Sequence, residues 1–273
     1  MIIGINGKIG SGKDTVGSII QYLTSECGDS NSSRHRTYTE FLQKGGGSNL
    51  RNFDQHYVSD WEIKKFAGKL KLIGSILSGI PVELFEDQEF KKSLLGEQWG
   101  TVRVNPLNAV PVFKDVQFNE LMSVREFLQK LGTEAMRDGL HTNVWVNALF
   151  ADYKKDIIYY PLTEEQIKYN NKQNGPIPSV NEKLEYPNWI ITDMRFPNEM
   201  DAVKERKGIT IRVVRPHGYT NPHTGEYKEM PLSFHPSEIA LDDAEFDYEI
   251  INDGSIEDLI EKVKEILIKE NLL

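Results

Sequence analysis

The sequence predicts an α/β architecture: a mainly parallel sheet of about five strands with helices on both faces. Three observations carry this prediction. The N-terminus runs from the apolar "MIIGING" through a glycine loop into "DTVGSIIQYLTS", where Val16, Ile19, Ile20 and Leu23 recur at helical spacing. Short apolar runs return at "DWEIKKFA", "NWIITD", "GITIRVVRP" and "FDYEIIND". Helical patterns separate these runs, as parallel pairing requires, because a crossover must carry the chain back to the same end of the sheet.

The elements follow in order. After the first strand and helix, the chain from Gly28 is rich in Ser, Asn and Gly and includes "GGGSN", so residues 28–60 read as an excursion. "DWEIKKFA" then gives a second strand, and "KLKLIGSILSGI" a helix ending near Gly79-Ile80-Pro81. Residues 95–118 carry Gly, Pro and Asn and read as irregular. "ELMSVREFLQKLGTEAMRDG" predicts one helix with Leu121, Val124, Phe127, Leu128 and Leu131 on its inner face. "NVWVNALFADYKK" continues helical after a break, and the polar, turn-rich residues 153–187 form another excursion. "GITIRVVRP" stops at Pro216, and 216–237 is a candidate lid with Arg215, His217 and His223 about it. The last helix places Ile256, Leu259, Ile260, Val263, Ile266 and Leu267 on one face, behind a capping-box pattern at Ser255 and Asp258. No internal repeat interrupts this order, and residues 1–273 read as a single domain.

Composition narrows the function. Hydrophobic residues make up 39 % of the 273 and charged residues 27 %, proportions that suit a globular domain. The net charge of −9 argues against a nucleic-acid partner, although a local basic cleft can still hold phosphates. The single cysteine, Cys27, excludes an internal disulfide framework and a cysteine-built metal site. No apolar run approaches membrane-spanning length, and the N-terminus reads as a strand rather than a signal peptide, so the expectation is a cytoplasmic protein with no membrane partner.

The chemistry starts at Gly7-x4-Gly12-Lys13, between the first strand and its helix. Glycines let a backbone turn its N–H groups onto phosphates, the helix N-terminus adds its dipole, and Lys13 reaches the outer phosphates. Asp14 stands where a hydroxyl residue usually follows the lysine, and Thr15 supplies that hydroxyl one place later. Asp14 either acts at magnesium or the phosphate acceptor, or simply favours the helix N-terminus as an acidic first-turn residue. Asp193 ends an apolar strand, at the edge of an open parallel sheet where ligands collect, and can hold the hydration shell of Mg²⁺. Arg195 follows it and can fork onto an acceptor phosphate. Arg125, Gln129, Thr133 and Arg137 recur every four residues, as either an anion-binding stripe or a solvated face. Lys71 and the amides of "KKFAGKLK" are placed to meet a phosphate, or are merely exposed. Trp145 stacks a base or fills a core.

Together "GSGKDT", "KFAGKLK", "VREFLQKLGTEAMRDGLHTNVWVNAL", "ITDMRFPNEMDAV" and "FDYEIINDGSIEDL" resemble the deoxynucleoside monophosphate kinases of tailed bacteriophages. The resemblance runs in order from residue 1 to about 265, outside the excursions. It implies a P-loop kinase fold related to adenylate kinase, with inserted acceptor and lid segments. The implied reaction is Mg²⁺-assisted transfer from ATP to a deoxynucleoside monophosphate. It implies ATP contacts from Gly10, Ser11, Gly12, Lys13, Asp14 and Thr15, and a metal held near Thr15 and Asp193. It implies acceptor contacts from Phe66, Ala67, Lys71, Gly132, Thr133, Arg137 and Trp145, with Asp193, Arg195 and Glu199 around the transferred group or the sugar. Arg125 joins the acceptor set from the stripe. A homodimer is compatible with this reading. "IINDGS" is similar to the ending of dephospho-coenzyme A kinases, which keeps a kinase of another small acceptor open beside a non-catalytic nucleotide-binding regulator.

Overall fold

A computed structural model describes residues 1–27, 37–43, 57–99, 101–102, 118–161, 180–216, 219–220, 227–228 and 236–273. The chain divides into two compact units, Met1–Lys65 with Phe150–Leu273, and Phe66–Leu149.

The first unit is built on five strands: β1 (Ile2–Asn6), β2 (Trp61–Lys64), β3 (Asn188–Ile191), β4 (Ile209–Val214) and β5 (Tyr248–Ile251). Their order across the sheet is β5-β4-β1-β3-β2, and every pairing is parallel. The predicted α/β class and its parallel sheet are therefore present. β1 lies in the middle, and its "IIGI" is buried on both faces, which is why that run is apolar throughout rather than alternating. On one face Ile3, Ile5, Ile190, Ile211 and Ile250 pack against Val16, Ile19 and Ile20 of α1 (Lys13–Thr24). Leu259, Val263, Ile266 and Leu267 of the last helix (Ile256–Lys269) complete that layer. On the other face the helix Pro197–Glu205 comes so close to β1 that a Cβ on Gly4 would meet Val203 at 3.2 Å.

Among the described residues, three pieces of the 28–60 and 153–187 excursions are strand. Tyr57–Ser59 pairs antiparallel with Ser25–Cys27, and Asp156–Pro161 with Val180–Glu185. Tyr38–Gln43, in the first of them, is a short helix with Phe41 buried. Most of the remaining residues of those excursions, most of 95–118 and most of the candidate lid at 216–237, including His217 and His223, lie outside the described residues.

In the second unit α2 (Ala67–Ser78) ends on Gly79, whose φ of 73° supplies the left-handed cap that a glycine adopts without strain. The predicted single helix over 120–139 starts later and changes form. α3 spans Val124–Gln129 only, because the Ser123 Oγ accepts the Glu126 amide at 3.1 Å and fixes the N-terminus there. Leu121 thus falls outside the helix and is 40 % exposed, not on its inner face. From Lys130 to Asp138 the chain is π-helical, with the Gly139 amide donating to the Glu134 carbonyl at 3.0 Å. Phe85, Leu95, Val124, Phe127 and Leu128 form this unit's core. The helix over "NVWVNALF" is α4 (Val144–Phe150).

Candidate active site

Because all five strands run the same way, their C-terminal ends share one edge. β1 sits where the strand order reverses, the crevice in which open α/β sheets collect ligands. Each strand delivers a polar group there: the glycine loop after β1, Lys65 after β2, Thr192 to Arg195 after β3, Arg215 after β4 and Asn252 after β5.

The glycine loop is shaped by two left-handed residues, Gly10 at φ 79° and Gly12 at φ 98°. A Cβ on Gly12 would sit 2.5 Å from the Asn252 Nδ2, so no larger residue fits. That same buried amide donates to the Ser11 carbonyl at 2.8 Å, and Arg215 donates to the Gly10 carbonyl at 3.2 Å. Neighbouring strands therefore hold the loop's carbonyls outward. The Ser11 hydroxyl is buried with no hydrogen-bond partner among the described residues. A buried polar group left this way costs stability unless something binds it, and an anion on the loop would do so. Lys13, at the start of α1, folds back onto the Lys8 carbonyl at 3.3 Å. Burial and the Arg195 guanidinium lower the pKa of its ammonium, while Asp14, Glu238 and Asp193 pull the other way. A cation held at a desolvation cost beside a second cation is relieved by an incoming phosphate.

Asp14 is oriented rather than loose. Its Oδ1 accepts the Thr192 hydroxyl at 2.7 Å and pairs with Lys65 at 3.3 Å. Surrounding protein pushes its carboxyl up, but Lys65, the Thr192 hydroxyl and Lys13 outweigh this, and its pKa lies below the usual value. Thr15 is half-buried in the first turn of α1, and Asp193 is half-buried at the end of β3. A hydroxyl and a carboxylate are hard oxygen donors of the kind magnesium accepts beside nucleotide phosphates.

The turn after β3 is clamped to β1: Asn6 donates to the Met194 carbonyl at 2.8 Å. Glu199 is 3 % exposed, and its Oε2 accepts the Arg195 amide at 2.7 Å and the Phe196 amide at 3.1 Å. Its carboxylate thus shapes the turn beneath Arg195. The Arg195 guanidinium pairs with Glu238, from the short helix Pro236–Ile239.

The remaining expected residues lie in the second unit. Phe66 is buried and Ala67 opens α2. Lys71 is drawn to Glu86 at 2.5 Å. Of the four-residue stripe, Arg125 and Gln129 are exposed, with Arg125 donating to Gln88 at 3.0 Å, while Thr133 and Arg137 are half-buried in the π-helical stretch. Trp145 is buried, and its indole N–H donates to the Gly132 carbonyl at 2.8 Å, which ties α4 to that stretch.

Lys65, Thr192 and Glu238 were not singled out by motif. Lys65 and Thr192 lie inside the quoted "KFAGKLK" and "ITDMRFPNEMDAV" without a role of their own, and only strand order reveals that both face Asp14. Glu238 carries no sequence signal at all.

No family model matches the chain. It is similar to the deoxynucleoside-5'-monophosphate kinase of Escherichia phage T5, 23 % identical over 268 residues that cover 92 % of this chain and 89 % of that one. It is also similar to the deoxynucleotide monophosphate kinase of Enterobacteria phage T4, 27 % identical over 181 residues, or 60 % of each chain. Along most of its length the chain therefore has homologues named as deoxynucleoside monophosphate kinases of phages, which bears out the resemblance carried by its motifs.

Proposed function

We propose that this protein transfers the γ-phosphoryl group of ATP to deoxynucleoside monophosphates, yielding the diphosphates, in the cytoplasm of a phage-infected host. The observation that carries the reading is the convergence of the Gly7–Gly12 loop, Lys13 and Arg195 on one edge of the sheet. The similarity to the two phage kinases supports it. The loop amides and Lys13 bind the outer phosphates of the donor, and the Arg195 fork stabilises charge on the moving group or the acceptor phosphate. Thr15 and Asp193 would hold magnesium beside the triphosphate, where it would neutralise charge on the phosphate oxygens. The acceptor is assigned to Phe66, Ala67, Lys71, Arg125, Gly132, Thr133, Arg137 and Trp145 by resemblance to the family.

One feature of Asp14 favours a phosphate acceptor over the alcohol of dephospho-coenzyme A. An alcohol needs a general base placed to take its proton. The Asp14 Oδ1 is instead engaged by the Thr192 hydroxyl and by Lys65. A phosphate acceptor is already anionic and needs no base.

Lys13→Ala tests the reading. ADP release with a panel of deoxynucleoside monophosphates should fall by about 10³-fold or more, as removing one preorganised charge stabiliser does. The far-ultraviolet circular dichroism should not change, since Lys13 lies on the loop edge rather than in the core. Turnover equal to wild type would end the kinase reading, and ADP release with dephospho-coenzyme A alone would move the function to the alternative.

A further inference from the structure

Glu238 lies outside every motif of the chain, yet its side chain is only 4 % exposed. Its two carboxylate oxygens have separate duties. Oε2 accepts the amide of Ile9, within the glycine loop, at 3.0 Å, and Oε1 accepts from Arg195 Nη1. Its backbone is anchored close by. Lys8 pairs with Asp242 at 3.1 Å, and Arg212 of β4 donates to the Asp242 carbonyl at 3.0 Å. The carboxylate thus bridges the phosphate loop and the arginine of the turn after β3.

We propose that Glu238 is the positioning residue for Arg195, fixing the guanidinium against the phosphate loop in the one orientation from which it meets the transferred or acceptor phosphate. This rests on the kinase reading given above. The guanidinium is a planar fork, so holding Nη1 fixes the direction of the whole group. Without the clamp the long side chain must be ordered by the substrate itself, at a cost in side-chain entropy. Near-complete burial argues that the carboxylate stays in place. An exposed acid competing with the nucleotide for these donors would have water to retreat into.

The two-oxygen arrangement gives a sharp test. Glutamine has the same shape as glutamate, but its NH₂ cannot accept a hydrogen bond. Glu238→Gln must therefore turn a donor toward either the Ile9 amide or Arg195. With Arg195→Ala also present, the NH₂ can face the vacated space while the oxygen keeps Ile9. The measurement is a double-mutant cycle in kcat/KM for the acceptor at saturating ATP, with calorimetric affinity for a deoxynucleoside monophosphate read in parallel without donor. Glu238→Gln is expected to lower kcat/KM by about tenfold in the wild-type background and by less than about twofold in Arg195→Ala, the non-additivity of two residues that act as one. An equal penalty in both backgrounds would mean that Glu238 serves the loop alone and would overturn the proposal. So would a gain in activity or triphosphate affinity, the signature of a competing anion. A wild-type protein with no turnover would instead overturn the kinase reading, and this proposal with it.

Discussion

At the scale of single residues, the site is organised by pairs that strand order brings together from far apart in the chain. The glycines and Lys13 were legible because their spacing is itself the signal: Gly12 must be left-handed and must leave room for Asn252. The partners of Asp14 were not legible, because the Thr192 hydroxyl comes from the turn after β3, 178 positions away. Lys65 gives a pH-dependent consequence. A carboxyl whose folded pKa lies below its unfolded value contributes stability that is present above the unfolded value and is lost as pH falls through the folded one. Asp14 is such a group, and after the opposing effect of desolvation Lys65 is the largest influence on it. Lys65→Met should therefore raise the Asp14 pKa and narrow that window from below. A carbon-13 NMR titration of the Asp14 carboxyl in the nucleotide-free protein measures this directly. An unchanged midpoint would mean that the 3.3 Å pair seen here carries no weight in solution.

At the scale of elements, the five core strands were readable from short apolar runs because both faces of a parallel sheet are covered, leaving no polar alternation to confuse the pattern. The helix before Asp138 was readable only in part. The periodicity of Val124, Phe127, Leu128 and Leu131 is real, and it drew Leu121 into the pattern by spacing alone. What decides the start is Ser123, whose hydroxyl takes the Glu126 amide and leaves Leu121 in the preceding segment. The switch to π-helical bonding after Gln129 has no signature in hydrophobic spacing. Its consequence is structural: it presents the Gly132 carbonyl to the indole of Trp145. Ser123→Ala removes the cap without touching the core. It should destabilise the protein by about 1 kcal/mol in denaturant unfolding, as lost serine caps do. A change below about 0.3 kcal/mol would show that the neighbouring bond from the Val124 amide to the Ser93 carbonyl fixes the helix start by itself.

At the scale of the whole molecule, the division into two units sorts the assigned ligand contacts. The glycine loop, Lys13, Thr15, Arg215 and Asn252 all belong to the unit of Met1–Lys65 and Phe150–Leu273. Phe66, Lys71, Arg125, Thr133, Arg137 and Trp145 all belong to Phe66–Leu149. Asp193 and Arg195 stand apart, as groups of the first unit that the proposed reaction would bring to the moving phosphoryl or the acceptor. The sequence shows the two blocks of motifs but not that they fall in separate compact bodies, because compactness depends on which helices share a core, and Phe85 and Leu95 of the second core lie in no motif. Ligand-linked protection should follow this division, since a ligand stabilises most strongly the local structure it contacts. Hydrogen exchange with ADP and Mg²⁺ alone should slow amides at residues 7–16 and 250–256 and leave those of 66–71 and 130–145 as they were. A deoxynucleoside monophosphate alone should do the reverse, adding protection only in the turn at 193–199 of the first unit. Protection of 130–145 by ADP alone would place the donor nucleotide on Arg137 and Trp145. The acceptor assignment, which rests on family resemblance, would then have to be exchanged for a donor role in that unit.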